Sequence, residues 1–300
     1  MTKVGAGRLD LVPQLLILGR KGRLARAIAR QAVGLNLKPI FLGRPDFDLL
    51  NEAVLEAQLA RYRVGLVINT SAYTDVDGAE ADPDAAFTLN RDAPARLARA
   101  CAALDLPLVH VSTDYVFGHS KGPHHENDPV DPLGVYGLSK RAGEEAVLAN
   151  HPSARVVRTS WLFDGHSPNF MTVMLGMRER PALTIISDQY GSPTLTDHLA
   201  TGLIELASRW DKIVPRLLHF ANQGGCSRLE MAQALFAKLD DGGAIPVLQP
   251  ISASQWIAAA PRPSDSRLSV EGWIGAGLTP PATWQAAVAE GVEQWRTSSA

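Results

Sequence analysis

The sequence predicts an α/β protein built on a doubly wound parallel sheet. Three observations carry this prediction. Short apolar runs at 14–18, 38–42, 64–68, 106–111 and 154–159 alternate with helical patterns, the first run leads into a glycine turn, and polar side chains follow the fourth. Apolar runs of this length between helices are typical of strands buried on both faces of a sheet. The fold class is therefore a Rossmann type, with the shorter elements after residue 160 forming a smaller, interleaved C-terminal substrate lobe.

Length, charge and cysteine content narrow the class of protein. The 300 residues suit one large domain or a large domain with a smaller lobe. A formal net charge of -2 and 20% charged residues do not indicate binding to a nucleic acid polymer. Cys101 and Cys226 lack metal-ligand spacing and are too few for a disulfide framework, which favours a reducing cytoplasm. Residues 1–13 contain no long apolar segment, so we expect a flexible leader and no membrane role.

The first apolar run, 14–18, ends in a glycine turn that leads into a helical pattern. Small residues at Gly19, Gly22 and Ala25 allow the backbone to approach a pyrophosphate, while the helix that includes Arg23 and Leu24 offers its first amides to that anion. The same spacing also occurs in a turn that only joins a strand to a helix. The turn is therefore a candidate dinucleotide site that needs support from other motifs.

The end of the second run bears on which cofactor is bound. An acidic residue there would hold the adenosine ribose of NAD, whereas this chain has Gly43-Arg44. A guanidinium can pair with a 2′-phosphate, and Arg20 and Lys21 add positive charge nearby. The pattern favours NADP(H) and leaves NADH open. The competing interpretation is that Arg44 is a solvated loop cation.

The stretch from Val109 to Lys140 contains the candidate chemistry. Ser112 and Thr113 follow a buried strand, where side chains of a doubly wound sheet point into the ligand crevice. Tyr136 and Lys140 are four residues apart, so a helix from residue 135 onward places them on one face. We expect the ammonium to lower the pKa of the phenol toward the working range of a proton donor or acceptor. Such pairs also occur by chance on solvated helices.

Two clusters of possible metal ligands are interpreted otherwise. Acidic residues between 75 and 84 lack the glycine and spacing of a calcium loop, and they indicate a solvated helix entry. His119, His124 and His125 crowd a loop without matching carboxylates, which indicates a mobile segment beside the substrate. No metal site is predicted.

The order of several motifs resembles one enzyme family. Tyr136-x-x-x-Lys140 and the preceding Ser112-Thr113 are similar to the short-chain dehydrogenase/reductase superfamily. The further motifs narrow the resemblance to the dTDP-4-dehydrorhamnose reductase family, over roughly residues 14–270: they are Ser-Thr-Asp-Tyr-Val-Phe at 112–117, Glu126-x-Asp128 with Pro132, Arg158-Thr159-Ser160-Trp161, Asp188-Gln189-x-Gly191-Ser192-Pro193-Thr194, and Arg262-Pro263 with Ser266 and Leu268.

The resemblance implies roles for particular residues. The catalytic group comprises Thr113, Tyr136 and Lys140, with Ser112 less clearly included. Cofactor contacts are implied for Gly19, Gly22, Arg23, Leu24, Arg44, Asp48, Leu49, Ala72, Tyr73, Thr74, Tyr136 and Lys140. Substrate contacts are implied for Thr113, Asp114 and Trp161, and charge alone makes Arg262 a candidate for the diphosphate. Asn90 matches a helix asparagine that supports the lysine, Arg158 is expected near the crevice, and Asp48 is equally explained as a helix cap.

The resemblance also implies an activity: NADPH-dependent reduction of a nucleotide-linked 4-keto-6-deoxy sugar, with dTDP-4-dehydrorhamnose giving dTDP-L-rhamnose for cell-surface polysaccharide. A dehydratase needs an acid after the Thr-Asp pair, and this chain has Tyr115 there. A nucleotide-sugar epimerase is less readily excluded. A third alternative is a non-catalytic, NADP-binding regulatory subunit similar to the methionine adenosyltransferase beta subunit. The oligomeric state is open, with a homodimer among the alternatives.

The remaining patterns set expectations for domain organisation. Residues 14–160 are expected to form the NADP-binding domain, with later elements around 197–240 packing on it, and 161–300 to form mainly the substrate lobe. Helices are predicted near 170–178, 197–210 and 228–239, and strands near 183–186 and 217–221. One long helical pattern runs to Leu104, and 246–263 is expected to be irregular.

Overall fold

The computed structural model describes residues 13–239 and 242–299, so residues 1–12 of the expected leader lie outside the described part. The first half of the chain alternates strands and helices. These elements are β1 (Leu15–Leu18), α1 (Arg23–Gly34), β2 (Ile40–Leu42), α2 (Glu52–Ala60), β3 (Leu66–Asn69), α3 (Val76–Ala81), α4 (Pro83–Phe87), α5 (Ala93–Ala103), β4 (Leu108–Thr113), α6 (Val135–Asn150) and β5 (Arg155–Thr159).

The second half contains shorter strands among helices. They are β6 (Leu162–Phe163), α7 (Phe170–Gly176), β7 (Ala182–Ile186), β8 (Tyr190–Gly191), β9 (Thr194–Leu195), α8 (Thr196–Ser208), β10 (Leu217–His219), β11 (Cys226–Ser227), α9 (Arg228–Leu239), β12 (Val247–Ile251), α10 (Glu271–Gly275) and α11 (Trp284–Ser299). No helix of the described residues is both long and apolar enough to span a bilayer. The same residues include no group of three His, Cys, Asp or Glu side chains arranged to hold a metal ion.

Six strands form the central sheet, in the order β10-β5-β4-β3-β1-β2, and every neighbouring pair is parallel. The predicted fold class is confirmed. The chain winds outward from β1 to β2, then crosses to β3 and continues in the other direction. A crevice opens beyond the carboxyl ends of the strands at such a reversal, and ligands of open α/β sheets bind there.

The hydrophobic core follows the alternation of side chains along the strands. In β1, Leu15 and Ile17 face one layer, which includes α1 and α8, while Leu16 and Leu18 face another, which includes α2 and α5. These strand residues are at most 2% exposed. A third apolar cluster joins α7, α9 and α11 to β7. The apolar runs were therefore good predictors of strands because both faces of the sheet are covered.

The helical pattern that ends near Leu104 is interrupted, contrary to the expectation of one continuous helix. Asp82 caps α4 by accepting from the amide of Ala85, and Pro83 stands at the first helical position. A π-helical turn over Thr88–Asp92 then precedes α5. Proline lacks the amide that a continuing helix would need, so it starts a new helix here. The π turn places Asn90 fully inside the protein.

The expectation that 246–263 is irregular was wrong for its first part. β12 runs parallel to β7, with Leu248 opposite Leu183 and Ile251 opposite Ile186. This pair is a separate two-stranded sheet, so β12 has a ladder partner on one side only. Pro250 is tolerated in such an edge strand because the missing amide need not complete a second ladder. Its proline and glutamine concealed the strand from sequence reasoning.

Candidate active site

A cavity of about 1040 Å³ lies beyond the carboxyl ends of the central strands. That volume is at the upper end of the roughly 300–1,000 Å³ of ligand pockets, which leaves room for two ligands. The predicted residues that line it are Gly19, Gly22, Arg23, Leu24, Arg44, Asp48, Leu49, Ala72, Thr74, Ser112, Thr113, Asp114, Tyr136, Lys140 and Trp161. Tyr73 and Arg262 are not among the lining residues.

The glycine turn after β1 requires its glycines. Gly19 has a φ of 93°, and a Cβ there would lie 2.9 Å from Oγ1 of Thr70. The amide of Gly22 donates to the carbonyl of Gly19 at 2.7 Å, which draws the turn tightly around the first residues of α1. The backbone at the helix N-terminus is thereby open to the cavity, an arrangement suited to an anion.

Arg23 lines the cavity, but its guanidinium points toward the segment after β6. It donates to the carbonyl of Leu162 at 2.8 Å, to the carbonyl of Pro168 at 2.6 Å and to the hydroxyl of Ser167 at 3.0 Å. The carboxylate of Asp164 lies 3.6 Å away. The side chain therefore ties the start of α1 to the segment that leads into α7.

The positive charges predicted near the end of β2 differ in their partners. Arg20 pairs with Asp46 at 2.6 Å and also donates to the carbonyl of Arg44. The side chain of Arg44 is exposed at the cavity rim. Asp48 accepts from the amide of Leu50 at 3.0 Å, so it caps a local turn in addition to lining the cavity.

The buried side chain of Asn90 joins the segment after β3 to α6. Its side chain accepts from the amide of Tyr73 at 2.8 Å and donates to the carbonyl of Tyr73 and to the hydroxyl of Ser139, both at 3.0 Å. Lys140 donates directly to the carbonyl of Val111 at 2.7 Å. Asn90 thus fixes the segment after β3 against α6, and the lysine is held by β4.

Thr113 and Tyr136 meet at the end of β4. The hydroxyl of Thr113 accepts from the amide of Tyr115 at 3.2 Å and donates to Asp114 at 3.1 Å. It also forms a hydrogen bond with the phenol of Tyr136. The rings of Tyr115 and Tyr136 pack edge to face, with centroids 5.5 Å apart. Hydroxyl and phenol therefore converge on one point of the cavity wall.

The electrostatics of Tyr136 and Lys140 differ from the expectation that the ammonium would lower the pKa of the phenol. Burial raises the pKa of Tyr136 because the charged phenolate is desolvated. Burial lowers the pKa of Lys140 to about 8, partly opposed by the carboxylate of Glu144. The ammonium lies 3.5 Å from Nε2 of His110. A phenol with a raised pKa retains its proton at neutral pH and can act as a proton donor.

Asp114 is buried and braced by hydroxyl groups that sequence reasoning did not assign. Its Oδ2 accepts from Ser160 at 2.8 Å and from Ser266 at 2.5 Å, while its Oδ1 accepts from Thr113. Burial raises the pKa of this carboxyl, and the three hydroxyls oppose the rise. Both serines belong to the quoted motifs, yet their shared partner is visible only once the chain is folded.

The far end of the cavity is built around Trp161. This residue has a φ of 42°, in the left-handed region that bulky side chains rarely adopt. Its indole packs against Gly191, where a Cβ would overlap the ring. The guanidinium of Arg228, which also lines the cavity, lies 3.5 Å from the ring centroid. Sequence reasoning missed Arg228, since a single arginine at the start of a helix gives no motif.

Two arginines expected near the substrate form ion pairs with carboxylates of the protein. Arg262 donates to Asp77 at 2.8 Å and to the carbonyl of Ala260 at 3.0 Å, and its guanidinium also forms a hydrogen bond with the phenol of Tyr115, which lines the cavity. Arg158 does not line the cavity, because it projects from β5 toward α6 and binds both carboxylate oxygens of Glu144 at 2.7 Å. Alternation along the strand explains this, since the next residue, Thr159, faces the cavity.

Comparisons with known proteins agree with this geometry. The family model described as RmlD substrate binding domain matches residues 13–297. The dTDP-4-dehydrorhamnose reductase of Mycobacterium tuberculosis (strain ATCC 25618 / H37Rv) is 40% identical over 292 residues, covering 95% of this chain and 93% of that protein. A probable dTDP-4,6-dihydroxy-2-methyloxan-3-one 4-ketoreductase of Streptomyces antibioticus is 37% identical, covering 92% of this chain and 93% of that protein.

Solved structures give the same result. A dTDP-4-dehydrorhamnose reductase of Clostridium acetobutylicum superposes with a TM-score of 0.87 at 30% identity, covering 94% of this chain and 99% of that one. The reductase of Bacillus anthracis, solved in complex with NADP, has a TM-score of 0.86 at 27% identity and covers 93% of this chain and 98% of that one.

Proposed function

The chain belongs to the RmlD substrate binding domain family, and from that premise we propose that it reduces dTDP-4-dehydrorhamnose to dTDP-L-rhamnose with NADPH. One observation carries the proposal beyond family membership. Thr113, Tyr136 and Lys140 converge at the end of β4, inside the same cavity as the glycine turn. Reduction of a ketone needs a hydride for the carbonyl carbon and a proton for the carbonyl oxygen, and this cavity can accommodate both donors.

The residues of the cavity are suited to NADPH. The tight turn at Gly19 and Gly22 leaves room for a pyrophosphate at the start of α1. The exposed guanidinium of Arg44 lies at the rim, within a cavity wall that also includes Arg20 and Lys21, and can pair with a 2′-phosphate. When bound, NADPH supplies the hydride that reduces the keto carbon.

Side chains of the protein supply the proton that the keto oxygen receives. Tyr136 donates its phenolic proton to the keto oxygen. Its raised pKa keeps the phenol protonated, and so able to donate, at neutral pH. When the ketone is bound, Thr113 turns its single hydroxyl proton from Asp114 to the same oxygen, and removal of a contact of this kind commonly costs about 10²–10³-fold in rate. Lys140, as an ammonium held by Val111, offers its remaining protons to the cofactor ribose and a positive charge to the forming phenolate.

Asp114 and Trp161 define the sugar site in this proposal. Because three hydroxyls already donate to Asp114, its first effect is to fix the orientation of Thr113. One face of the Trp161 indole is covered by Arg228, so the sugar contacts the remaining surface of the ring. Tyr115, whose pKa burial raises, is a neutral residue beside the site, which is unsuited to the acid chemistry of a dehydratase.

A direct assay tests the proposal. Purified protein is incubated with dTDP-4-dehydrorhamnose and NADPH, the fall in NADPH absorbance is followed, and the sugar product is identified by NMR. We expect one NADPH consumed for each dTDP-L-rhamnose formed. A redox-neutral product would indicate an epimerase, and cofactor binding without any turnover would indicate a regulatory subunit.

The cellular setting and assembly are part of the proposal. Both cysteines are buried and free of disulfides, which suits a reducing cytoplasm. The oligomeric state is open, and a homodimer is one of the alternatives. Light scattering coupled to size-exclusion chromatography measures its mass against that of a single 300-residue chain.

A further inference from the structure

Arg228 is a cation at the substrate end of the cavity whose guanidinium has no hydrogen-bond acceptor among the described residues. Only its backbone amide is engaged, donating to the carbonyl of Gln189 at 3.3 Å. The guanidinium instead lies 3.5 Å above the ring of Trp161 and 5.2 Å from the ring of Phe170. Its N–H donors are therefore available to a ligand in the cavity that it lines.

The position of Arg228 is fixed by its surroundings. It is the first residue of α9, and that helix begins with a reciprocal cap in which Ser227 donates its amide to Glu230 at 2.7 Å and accepts from the amide of Glu230 at 3.1 Å. Trp161 supports the guanidinium from one side. A stacked guanidinium keeps its N–H groups in the plane of the fork, where they can bind an oxyanion with two parallel hydrogen bonds.

The charge of Arg228 is only partly compensated by the protein. Burial lowers the pKa of the arginine, and the nearby Arg262 lowers it further, against the opposing effect of Tyr115 and Asp114. The oxygens of Asp114 already accept from three hydroxyls. A partly buried cation without a paired anion is costly, and an anionic ligand would offset that cost. Arg262, the other candidate, pairs with Asp77 at 2.8 Å and forms a hydrogen bond with the phenol of Tyr115, so its donors already have partners in the protein.

We propose that Arg228 binds the diphosphate of the nucleotide-sugar substrate. The inference rests on the proposed function, which requires the keto carbon to lie at Thr113 and Tyr136. The diphosphate is attached across the pyranose ring from that carbon, and Arg228 adjoins the catalytic pair through Tyr115 and Trp161. Trp161 follows β5, whereas the glycine turn that suits the cofactor diphosphate follows β1. The strands β3 and β4 lie between β1 and β5 in the sheet.

Binding of dTDP and thymidine to protein saturated with NADP⁺ tests this inference, by isothermal titration calorimetry. Arg228→Met keeps an apolar stem on Trp161 and deletes the charge. We expect dTDP to bind at least about tenfold more weakly to this variant, as for loss of a charge-assisted contact. Thymidine and NADPH should bind as tightly as they do to the wild type, and Arg228→Lys should recover part of the dTDP affinity.

Three matched variants complete the experiment. Arg180→Gln removes an exposed arginine from the C-terminal half and should leave dTDP affinity unchanged. Arg228→Gln provides a second, polar replacement if Arg228→Met does not bind NADPH. Arg262→Gln tests the competing residue, and a loss of dTDP affinity in this variant alone would overturn the assignment.

Other results would also overturn the inference. Unchanged dTDP affinity in a folded Arg228→Met or Arg228→Gln protein would do so, as would equal losses for dTDP and thymidine. A selective loss of NADPH affinity would assign Arg228 to the cofactor. A wild-type protein without turnover of dTDP-4-dehydrorhamnose would contradict the proposed function, whereas turnover with diphosphate binding independent of Arg228 would contradict only this inference.

Discussion

At the scale of single residues, the proton donor is the most direct point to test. Tyr136→Phe keeps the ring and its edge-to-face contact with Tyr115 and removes only the hydroxyl. General acid catalysis commonly supplies about 10²–10⁴-fold, so kcat for the keto sugar should fall within that range. NADPH affinity and Tm should stay close to those of the wild type. Near-full activity would mean that another group delivers the proton.

The pH dependence of turnover is a second test at this scale. Because burial lowers the pKa of Lys140 to about 8, its ammonium is present below that pH and is lost above it. Tyr136, with its raised pKa, remains protonated across the same range. We expect kcat/KM to fall as pH rises through about 8.

Replacing the amine with a guanidinium separates Lys140 from other ionisations. Arg side chains remain protonated up to a pH of about 12, so the alkaline fall should disappear in Lys140→Arg, even if the plateau is lower. The pH profile of kcat/KM measures this. An unchanged alkaline fall would assign it to a different group.

Residue types that belong to a motif were predictable from sequence, and residues defined by their surroundings were not. The spacing of Thr113, Tyr136 and Lys140 in the sequence identifies them as candidate catalytic residues, and the structure brings them together in one cavity. Arg228 belongs to no such motif. It stands out only in the folded structure, where its guanidinium lacks a hydrogen-bond acceptor within the described part of the chain and packs on Trp161. The pKa of Tyr136 was expected in the wrong direction, since sequence shows the neighbouring ammonium but not the burial.

At the scale of elements, the turn from β1 into α1 makes a sharp prediction. In Gly19→Ala the φ of 93° becomes strained, at a cost on the order of 1–3 kcal/mol, and the new methyl would contact Thr70 and Ser71. We expect a lower free energy of unfolding in urea and at least about tenfold weaker NADPH binding, since each factor of ten requires only about 1.4 kcal/mol.

Gly34→Ala is the matched control for the same helix. Gly34 is the last residue of α1, and no atom lies within 4 Å of an added Cβ. This change should leave NADPH affinity unaltered and stability equal or slightly higher, as is usual for glycine replaced where no strain arises. Equal effects of both substitutions on NADPH binding would show that the conformation of Gly19 is not what the cofactor requires.

Elements differed in how well the sequence predicted them, and the reason is burial. Strands of the central sheet are apolar throughout because helices cover both faces, so their runs were unmistakable. β12 pairs with one strand only and exposes part of each face, so Gln249 and Pro250 are tolerated and the pattern vanishes. The π turn at Thr88–Asp92 depends on tertiary contacts of Asn90, which no local pattern encodes.

At the scale of the whole molecule, cofactor binding should couple to global stability. The cavity is lined by residues from the glycine turn at one end and from Trp161 and Phe170 at the other, and Arg23 links these regions through Leu162 and Pro168. A ligand that binds only the folded state adds RT ln(1 + [L]/Kd), about 2.7 kcal/mol at 100 times Kd. NADPH should therefore raise Tm, and the rise should grow with the logarithm of its concentration divided by Kd.

Arg44 makes that stabilisation specific for the phosphorylated cofactor. NADPH should raise the Tm of the wild type more than NADH at equal concentration, because only NADPH carries a 2′-phosphate for the exposed guanidinium. In Arg44→Ala, loss of a charge-assisted contact worth about 1.5–3 kcal/mol should weaken NADPH binding at least about tenfold and leave NADH nearly unchanged. The two Tm shifts should then approach each other, as measured by differential scanning fluorimetry over a range of cofactor concentrations. Equal loss for both cofactors would instead make Arg44 a structural residue of the turn after β2, and selectivity would have to come from Arg20 or Lys21.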